Sequence, residues 1–361
     1  MEMTKPIESS FVERFVTALR DAGVTVDVQH STDLFGQFGL RFRADALLRL
    51  NDQIWMAVEV TRSGYPRDIR EAIWKLQSMG IGLQPPNTDM RIAILAEHLT
   101  DASRELLKSH GCAYFDTGGS LFLKAPSAGL LIDIDRPPPK LLQRRAHSVF
   151  TSAREQVLHA LMHQGDAWSS GIDIAAASQT SPFTVSQTIA ELEKLDWIES
   201  RNVGSSKLRR LNQPGQLLDA WATQWQSRKE SVSRWYRWSA STEELLVQIS
   251  QCENAKDVVL TGAAAANQLT PWLTQVDRID LIVPPGTSET LAQQLELKSV
   301  TQGANIQLVE RTGASCLFTE PSPINSTLHR ASPYILYLDL LDGRGRNKEL
   351  AQKLRTNIMK Y

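Results

Sequence analysis

The sequence predicts a multidomain α/β protein with a separate, mainly helical domain in its middle. Its 361 residues are enough for two or three domains of about 150 residues each. Strand-like and helix-like segments alternate on both sides of the central stretch, as they do in α/β domains. Three consecutive prolines at 137–139 disfavour helix and central strand and therefore predict an extended linker.

Composition excludes several classes of protein. Hydrophobic residues make up 42% and charged residues 22%, which excludes disordered and collagen-like chains. The 39 Lys and Arg residues balance 40 Asp and Glu, so any nucleic-acid surface must be local. Cys112, Cys252 and Cys316 are too scattered for a disulfide framework or metal cage. No apolar run approaches about 18 residues, so we expect a soluble, cytoplasmic protein without a membrane partner.

Residues 1–136 are predicted to form the first α/β domain, and residues 137–147 a proline-rich, basic linker. An apolar stripe at Phe11, Phe15 and Leu19 indicates an amphipathic helix. The remaining predicted elements are strands at 24–30, 40–50 and 53–61, a helix from about 66 to 79, a strand at 91–96, a helix at 101–110, and strands near 112–123 and 130–134.

Two acidic residues stand on neighbouring predicted strands of this domain. Asp45 is placed in one strand and Glu59 in the next, with thirteen residues between them. Because side chains alternate along a strand, Glu59 and Thr61 share the face opposite the apolar residues. Two carboxylates can hold Mg²⁺, while a lysine helps to position the attacking water. The pattern resembles the PD-(D/E)xK restriction-endonuclease-like superfamily, with Asp45 and Glu59 at the acidic, metal-binding positions.

Thr61 stands where that superfamily has its lysine, and threonine cannot supply an ammonium group. Lys75 would have to reach the site from the following helix. Gln77 resembles a glutamine that some members of the superfamily place beside the metal. A simpler alternative pairs the strand carboxylate with Arg41 or Arg43. The sequence therefore predicts a nuclease-like fold whose catalytic site is degenerate.

Residues 148–213 predict three helices followed by a β-hairpin. The first helix carries an apolar face and His159 and His163, whose spacing of four is typical of an ordinary surface pair or, with a third ligand, a metal site. A short helix near 172–178 follows. Ser181 is a suitable N-cap and Pro182 a suitable first residue for the third helix. The turn at 204–206 then joins two strands, which completes the outline of a winged helix-turn-helix.

The third helix and the hairpin of this domain carry residues suited to double-stranded DNA. Short polar side chains that can hydrogen-bond base edges are predicted to face outward at the start of the helix: Thr184, Ser186 and Gln187. Cations that can neutralise phosphates surround the hairpin: Arg201, Lys207, Arg209 and Arg210, with Arg144 and Arg145 in the linker. A protein-interaction module is the alternative, favoured by the acidic later turns at Glu191 and Glu193.

Residues 214–361 predict a second α/β domain. An opening helix is predicted to hold four tryptophans that either stack on single-stranded bases or, as the spacing favours, pack in the core: Trp221, Trp225, Trp235 and Trp238. Strands are expected at 257–261, 279–283 and 306–309, and helices near 263–270, 287–296 and 347–358.

The whole chain resembles the AbiEi-like family of transcriptional regulators and type IV antitoxins. The stretches that carry the resemblance are EVTRSGYPRDIREAIWKLQ, CAYFDTGGSLFL, VVLTGAAAANQLTPW with DRIDLIV, and ASPYILYLDLLDGRGRNKELAQKLR. The resemblance implies a DNA-binding, repressor-like role and a C-terminal nucleotidyltransferase-like fold. Thr61 departs from the family, in which lysine is frequent at this position.

Transferase chemistry is not expected from the last domain. It requires a turn that holds the triphosphate and paired acids on one strand face. After Thr261 and Gly262 come four alanines, which offer no hydroxyl for phosphate and instead suit close helix–sheet packing. Asp277 and Asp280 are three residues apart, so on a strand they would point to opposite faces.

The predicted function is therefore sequence-specific binding of double-stranded DNA by a transcriptional regulator of an antitoxin-like or mobile-element-associated kind, with no cofactor. A partner toxin or self-association would be a further interaction, and the sequence favours neither. The alternative is a Mg²⁺-dependent DNA endonuclease that uses Asp45 and Glu59 and is targeted by the winged helix. A protein-interaction scaffold is the third hypothesis.

Overall fold

The structure, a computed structural model, describes residues 5–29, 44–61, 63–78, 89–137, 148–202, 204, 207–252 and 255–360. It is a mixed α/β protein, as the sequence predicts. The chain divides into two compact units, Met1–Ala146 with Glu193–Asp196 and His147–Leu192 with Trp197–Tyr361. The finer domain boundaries at 136, 147 and 213 remain predictions. Within the described residues, no helix is both long and apolar enough to cross a membrane.

The first unit contains a seven-stranded sheet in which strands adjacent in sequence are also neighbours in space. Its strands are β1 (Val26–Gln29), β2 (Ala46–Leu50), β3 (Ile54–Thr61), β4 (Asp89–Ala96), β5 (Ala113–Asp116), β6 (Leu121–Ala125) and β7 (Leu130–Ile134). The pairs β3/β4 and β4/β5 are parallel, and the other pairs are antiparallel.

Helices cover both faces of this sheet, and they are α1 (Lys5–Asp21), α2 (Pro66–Leu76) and α3 (Asp101–Ser109). α2 and α3 are the crossovers that the two parallel strand pairs require, and they bury their apolar residues against one face. On the opposite face, Phe15 and Leu19 of α1 pack against Met56 and Val58 of β3. The alternating side chains of β3 therefore leave Glu59 on the face that α2 covers.

The second unit begins with three helices and a small sheet. These are α4 (Ser152–Gln164), α5 (Gly171–Ser178), α6 (Pro182–Lys194), β8 (Ser169–Ser170), β9 (Ile198–Arg201) and β10 (Leu208–Leu211), with sheet order β8-β10-β9. Ser170 caps α5 in a capping box with Asp173. Ser181 caps α6, since its Oγ accepts the Thr184 N–H at 3.1 Å, as its sequence position predicts.

The rest of the second unit is a seven-stranded mixed sheet with order β14-β11-β15-β13-β12-β17-β16. Its strands are β11 (Ser231–Tyr236), β12 (Val259–Thr261), β13 (Ile279–Val283), β14 (Lys298–Ser299), β15 (Ile306–Glu310), β16 (Glu320–Pro321) and β17 (His329–Arg330). Its helices are α7 (Pro214–Gln226), α8 (Thr242–Ser250), α9 (Gly262–Leu269), α10 (Ser288–Gln294), α11 (Pro333–Leu340) and α12 (Asn347–Leu354).

The four tryptophans predicted on one helix lie on different elements. Trp221 and Trp225 are buried on α7, but that helix ends at Gln226. Trp235 lies in β11, where alternation along the strand turns it into the core. Trp238 follows β11 and is 75% exposed. The packing hypothesis is therefore right for the first three and wrong for Trp238, because a strand replaces the second half of the predicted helix.

His159 is fully buried and belongs to no surface pair, which corrects the prediction from its spacing. Its Nδ1 lies 2.8 Å from the Ala314 carbonyl oxygen, so Nδ1 must carry the proton and donate it. Its Nε2 accepts from the Ser332 hydroxyl at 2.7 Å. Burial lowers the pKa of His159 to about 3, so the ring is neutral at physiological pH. His159 thus links α4 to the segments around Ala314 and Ser332, within one hydrophobic core.

Candidate nucleic-acid interface

The two predicted nuclease carboxylates lie side by side on β2 and β3. Asp45 immediately precedes β2 rather than lying within it, and its N–H donates to the Val58 carbonyl at 2.9 Å. This bond continues the antiparallel register, which places Asp45 opposite Glu59. The Asp45 carboxylate is exposed and accepts the Val60 N–H at 2.7 Å, whereas Glu59 is buried.

Lys75 supplies the ammonium group that Thr61 lacks. It lies in the last turn of α2 and forms an ion pair with the Glu59 carboxylate. The Thr61 hydroxyl instead donates to the Ser63 carbonyl at 3.0 Å. Gln77 is exposed just beyond α2 and lies about 200° around the helix axis from Lys75, so it does not join the pair.

No metal-binding group forms around this pair in the part of the chain that the structure describes. Clusters of three or more His, Cys, Asp or Glu side chains are absent from those residues. Arg41 and Arg43, the alternative partners of Glu59, lie outside the described residues. The first unit therefore presents two carboxylates and one lysine, and the lysine neutralises the buried carboxylate.

The outward face of α6 is a continuous stripe of uncharged side chains: Phe183, Ser186, Gln187 and Ala190. All four are exposed, and their spacing of three and four residues places them on one side of the helix. The opposite side is buried in the core, as the helical spacing predicts, through Val185, Ile189 and Leu192. We refer to the four exposed residues as the α6 stripe.

Thr184 does not belong to the α6 stripe, which corrects its predicted outward position. It is half-buried, and its hydroxyl lies 3.0 Å from the Ser181 Oγ. It therefore supports the N-terminal cap of α6. Glu191 and Glu193, which favoured a protein-interaction module, are both half-buried. They follow the α6 stripe, whose own four residues are uncharged.

Two of the predicted cations share the outer face of the hairpin formed by β9 and β10. Arg201 pairs across the strands with Leu208, and Arg210 with Glu199, which places all four side chains on one face. On this face Arg210 also forms an ion pair with Glu199 at 2.7 Å. The guanidinium carbons of Arg201 and Arg210 lie 4.4 Å and 4.8 Å from the centre of the Trp168 ring. Sequence reasoning missed Trp168, because no local pattern indicates that a single tryptophan will stack against two distant arginines.

Arg209 belongs to the other face of β10, together with the buried Leu211. Its guanidinium is half-buried and donates to the Lys207 carbonyl at 3.1 Å. Arg209 therefore braces the hairpin, and its predicted phosphate contact stays a prediction. Lys207 is also half-buried. Arg144 and Arg145 lie outside the described residues.

The turn between β12 and α9 packs against the side chain of Asp280, which forms an ion pair with Arg278. Gly262 has a φ of 63°, and a Cβ at this position would lie 2.4 Å from Oδ2 of Asp280. Arg278 donates hydrogen bonds to that carboxylate from Nε at 2.6 Å and from a terminal nitrogen at 2.8 Å. Burial raises the pKa of Asp280 to about 6, although Arg278 acts in the opposite direction. Asp277 precedes β13, so Asp277 and Asp280 do not lie on opposite faces of one strand as expected.

A cavity of about 390 Å³ lies beside this turn, and its acidic wall residues are paired with arginine. Asp339 on α11 binds Arg311 at 2.8 Å, and Asp342 lies 3.5 Å from Arg344. The sequence drew no attention to these two aspartates, since only the tertiary structure brings them beside Asp280. With a guanidinium already on each carboxylate, the geometry does not favour a two-metal site.

The comparisons with known proteins cover part of the chain. No curated protein and no solved structure matches it. Residues 210–360, which comprise α7–α12 and the larger sheet of the second unit, match the model of a family described as a transcriptional regulator, AbiEi antitoxin, of type IV toxin–antitoxin systems. This part of the chain is therefore similar to the AbiEi antitoxin regulators.

Proposed function

We propose that this chain is a transcriptional regulator that binds double-stranded DNA sequence-specifically. The carrying observation is the α6 stripe, an exposed, uncharged helix face, in the same small fold as the arginine pair on the hairpin. An uncharged face with an amide and a hydroxyl can approach base edges, while arginines neutralise phosphates. On this proposal α4–α6 and β8–β10 form a winged helix-turn-helix, with α6 as the recognition helix.

The remaining parts support a regulatory rather than an enzymatic role. We assign a restriction-endonuclease-like fold to the first unit, supported by its strand pairing and by Asp45 and Glu59. We assign a nucleotidyltransferase-like fold without transferase activity to residues 214–361, supported by the Arg278–Asp280 pair. Similarity to an antitoxin family supports a toxin, or a second copy of the chain, as a further partner.

Selection from a random duplex pool tests the proposal. The full chain should retain DNA at low salt and enrich one sequence, and Gln187→Ala should relax the selection at one position. A well-placed amide contributes about 1–3 kcal/mol of discrimination between bases. Gln226→Ala, an exposed glutamine just outside the helix-and-hairpin fold, is the matched control. Failure to retain any duplex at low salt would contradict the proposal and favour a protein-interaction scaffold.

A DNA endonuclease is the second candidate, because Lys75 reaches the Glu59 carboxylate. Mg²⁺ prefers carboxylate oxygens, and a lysine beside them could polarise the attacking water. In this candidate Asp45 and Glu59 hold the metal, and Lys75 takes the role of the absent motif lysine.

Incubation of the full chain with supercoiled and linear DNA in Mg²⁺ or Mn²⁺ should leave both substrates intact. We expect this result because Lys75 already neutralises Glu59, and a cation would have to displace it. Cleavage that disappears in both Glu59→Ala and Lys75→Met would overturn this expectation and establish the endonuclease. Cleavage that survives in both variants would point to a contaminating nuclease. Glu71→Ala, which changes an exposed carboxylate of α2, is the matched control for the two site variants and should behave as wild type does.

A further inference from the structure

Phe183 is the largest side chain of the α6 stripe, and it is 73% exposed. It lies in the first turn of α6, directly after Pro182. Leaving a phenyl ring in water forfeits the free energy that its burial would provide. The opposite side of α6 is already filled by Val185, Ile189 and Leu192, so the ring cannot turn into the protein core without displacing them.

The chemistry of the stripe matches one class of base pair. In the major groove, thymine alone presents a methyl group, and phenylalanine and alanine can pack against it. Adenine presents the donor and acceptor that a glutamine amide pairs with. Guanine is read mainly by arginine or lysine, and α6 contains neither before Lys194.

A duplex is also the occupant that the charge of the helix-and-hairpin fold favours. Arg201 and Arg210 stand on the outer face of the hairpin with one carboxylate, Glu199, so that face carries a net positive charge. The stripe itself is uncharged. An apolar partner offers no anion to these arginines, whereas DNA carries phosphates on both sides of the groove.

We propose that Phe183 and Ala190 pack against thymine methyl groups in the major groove, so that α6 recognises A·T base pairs. This inference rests on the proposed DNA-binding function and specifies its target. Phe183 supplies most of the apolar contact, Gln187 reads adenine between the two, and the arginines hold the phosphates.

Replacement of thymine by deoxyuridine tests the proposal, since it removes only the methyl group. The duplex enriched from the random pool is compared with the same duplex carrying deoxyuridine at single positions. Each contacted methyl should contribute about fourfold in affinity, the value expected for one buried carbon. Phe183→Ala should weaken binding by about tenfold or more. The variant should also lose the deoxyuridine effect at its own contact position.

Trp238→Ala is the matched control, because it removes an aromatic side chain of similar exposure outside the helix-and-hairpin fold. It should change neither the affinity nor the deoxyuridine effect. Thermal unfolding of Phe183→Ala should match wild type, since the ring is exposed. If DNA binds specifically but deoxyuridine changes nothing, the methyl contact is wrong while the proposed function stands. If no duplex binds, both fail, and capture of a protein by wild type but not Phe183→Ala would then assign the stripe to a protein partner.

Discussion

Replacing Arg201 and Arg210 together by alanine should weaken DNA binding by about 30-fold at 0.15 M salt. Each phosphate contact changes the logarithmic salt slope by about 0.9, so the double variant should lose about 1.8 from the slope. Both guanidinium groups lie against Trp168 on the outer face of the hairpin, which limits their motion before DNA arrives. Binding isotherms at several salt concentrations measure the slope directly.

The structure provides two controls for this experiment. Lys229→Ala with Arg234→Ala removes the same charge from exposed positions outside the hairpin and should leave the slope unchanged. Arg209→Ala should affect the stability of the hairpin more than the slope, because its guanidinium holds the Lys207 carbonyl. An equal loss of slope in the first control would show that net charge, rather than the hairpin, drives binding.

Glu155→Ala should lower the free energy of unfolding of the second unit by about 3–5 kcal/mol. Glu155 is buried on α4, accepts the Trp221 indole N–H at 2.6 Å and forms an ion pair with Arg228. Burial, together with the nearby Arg311, lowers the pKa of Arg228 to about 10, so it stays charged at neutral pH. Removing the carboxylate leaves a largely buried cation and an indole N–H without their partner.

Urea denaturation of the full chain measures this loss, and a double-mutant cycle isolates the ion pair. Arg228→Ala in the Glu155→Ala background should cost much less than Arg228→Ala alone, because the two residues act together. Glu243→Ala, an exposed carboxylate on α8, should change stability by no more than about 1 kcal/mol. Additive single effects would show that Glu155 and Arg228 do not stabilise the fold as a pair.

Local patterns predict much of the fold, because they record which residues face the core. The stripe of Phe15 and Leu19, the alternation around Glu59 and the cap at Ser181 each depend on a few neighbouring residues. The helix predicted through Trp235 and Trp238 is wrong, because a helical spacing of tryptophans continued across the end of α7 at Gln226. A short strand that pairs with distant β15 has no local signal strong enough to compete.

The candidate sites depend more heavily on distant contacts. Spacing placed Asp45 beside Glu59, but the contact of Lys75 with Glu59 depends on the packing of α2 on the sheet. Similarly, Arg209 and Arg210 are adjacent in sequence and equal in charge. Alternation along β10 places them on opposite faces, and the burial of Leu211 on the same face as Arg209 decides that Arg210 faces outward.

The sequence by itself determined the mixed α/β class, the three-helix and hairpin segment, and the residue types of the α6 stripe. Only the tertiary structure decided which of those residues are available to a ligand. It buried His159, used the Thr184 hydroxyl in a cap and left Phe183 in solvent. The physical reason is that secondary structure follows local spacing, whereas exposure and charge pairing follow from which elements pack together.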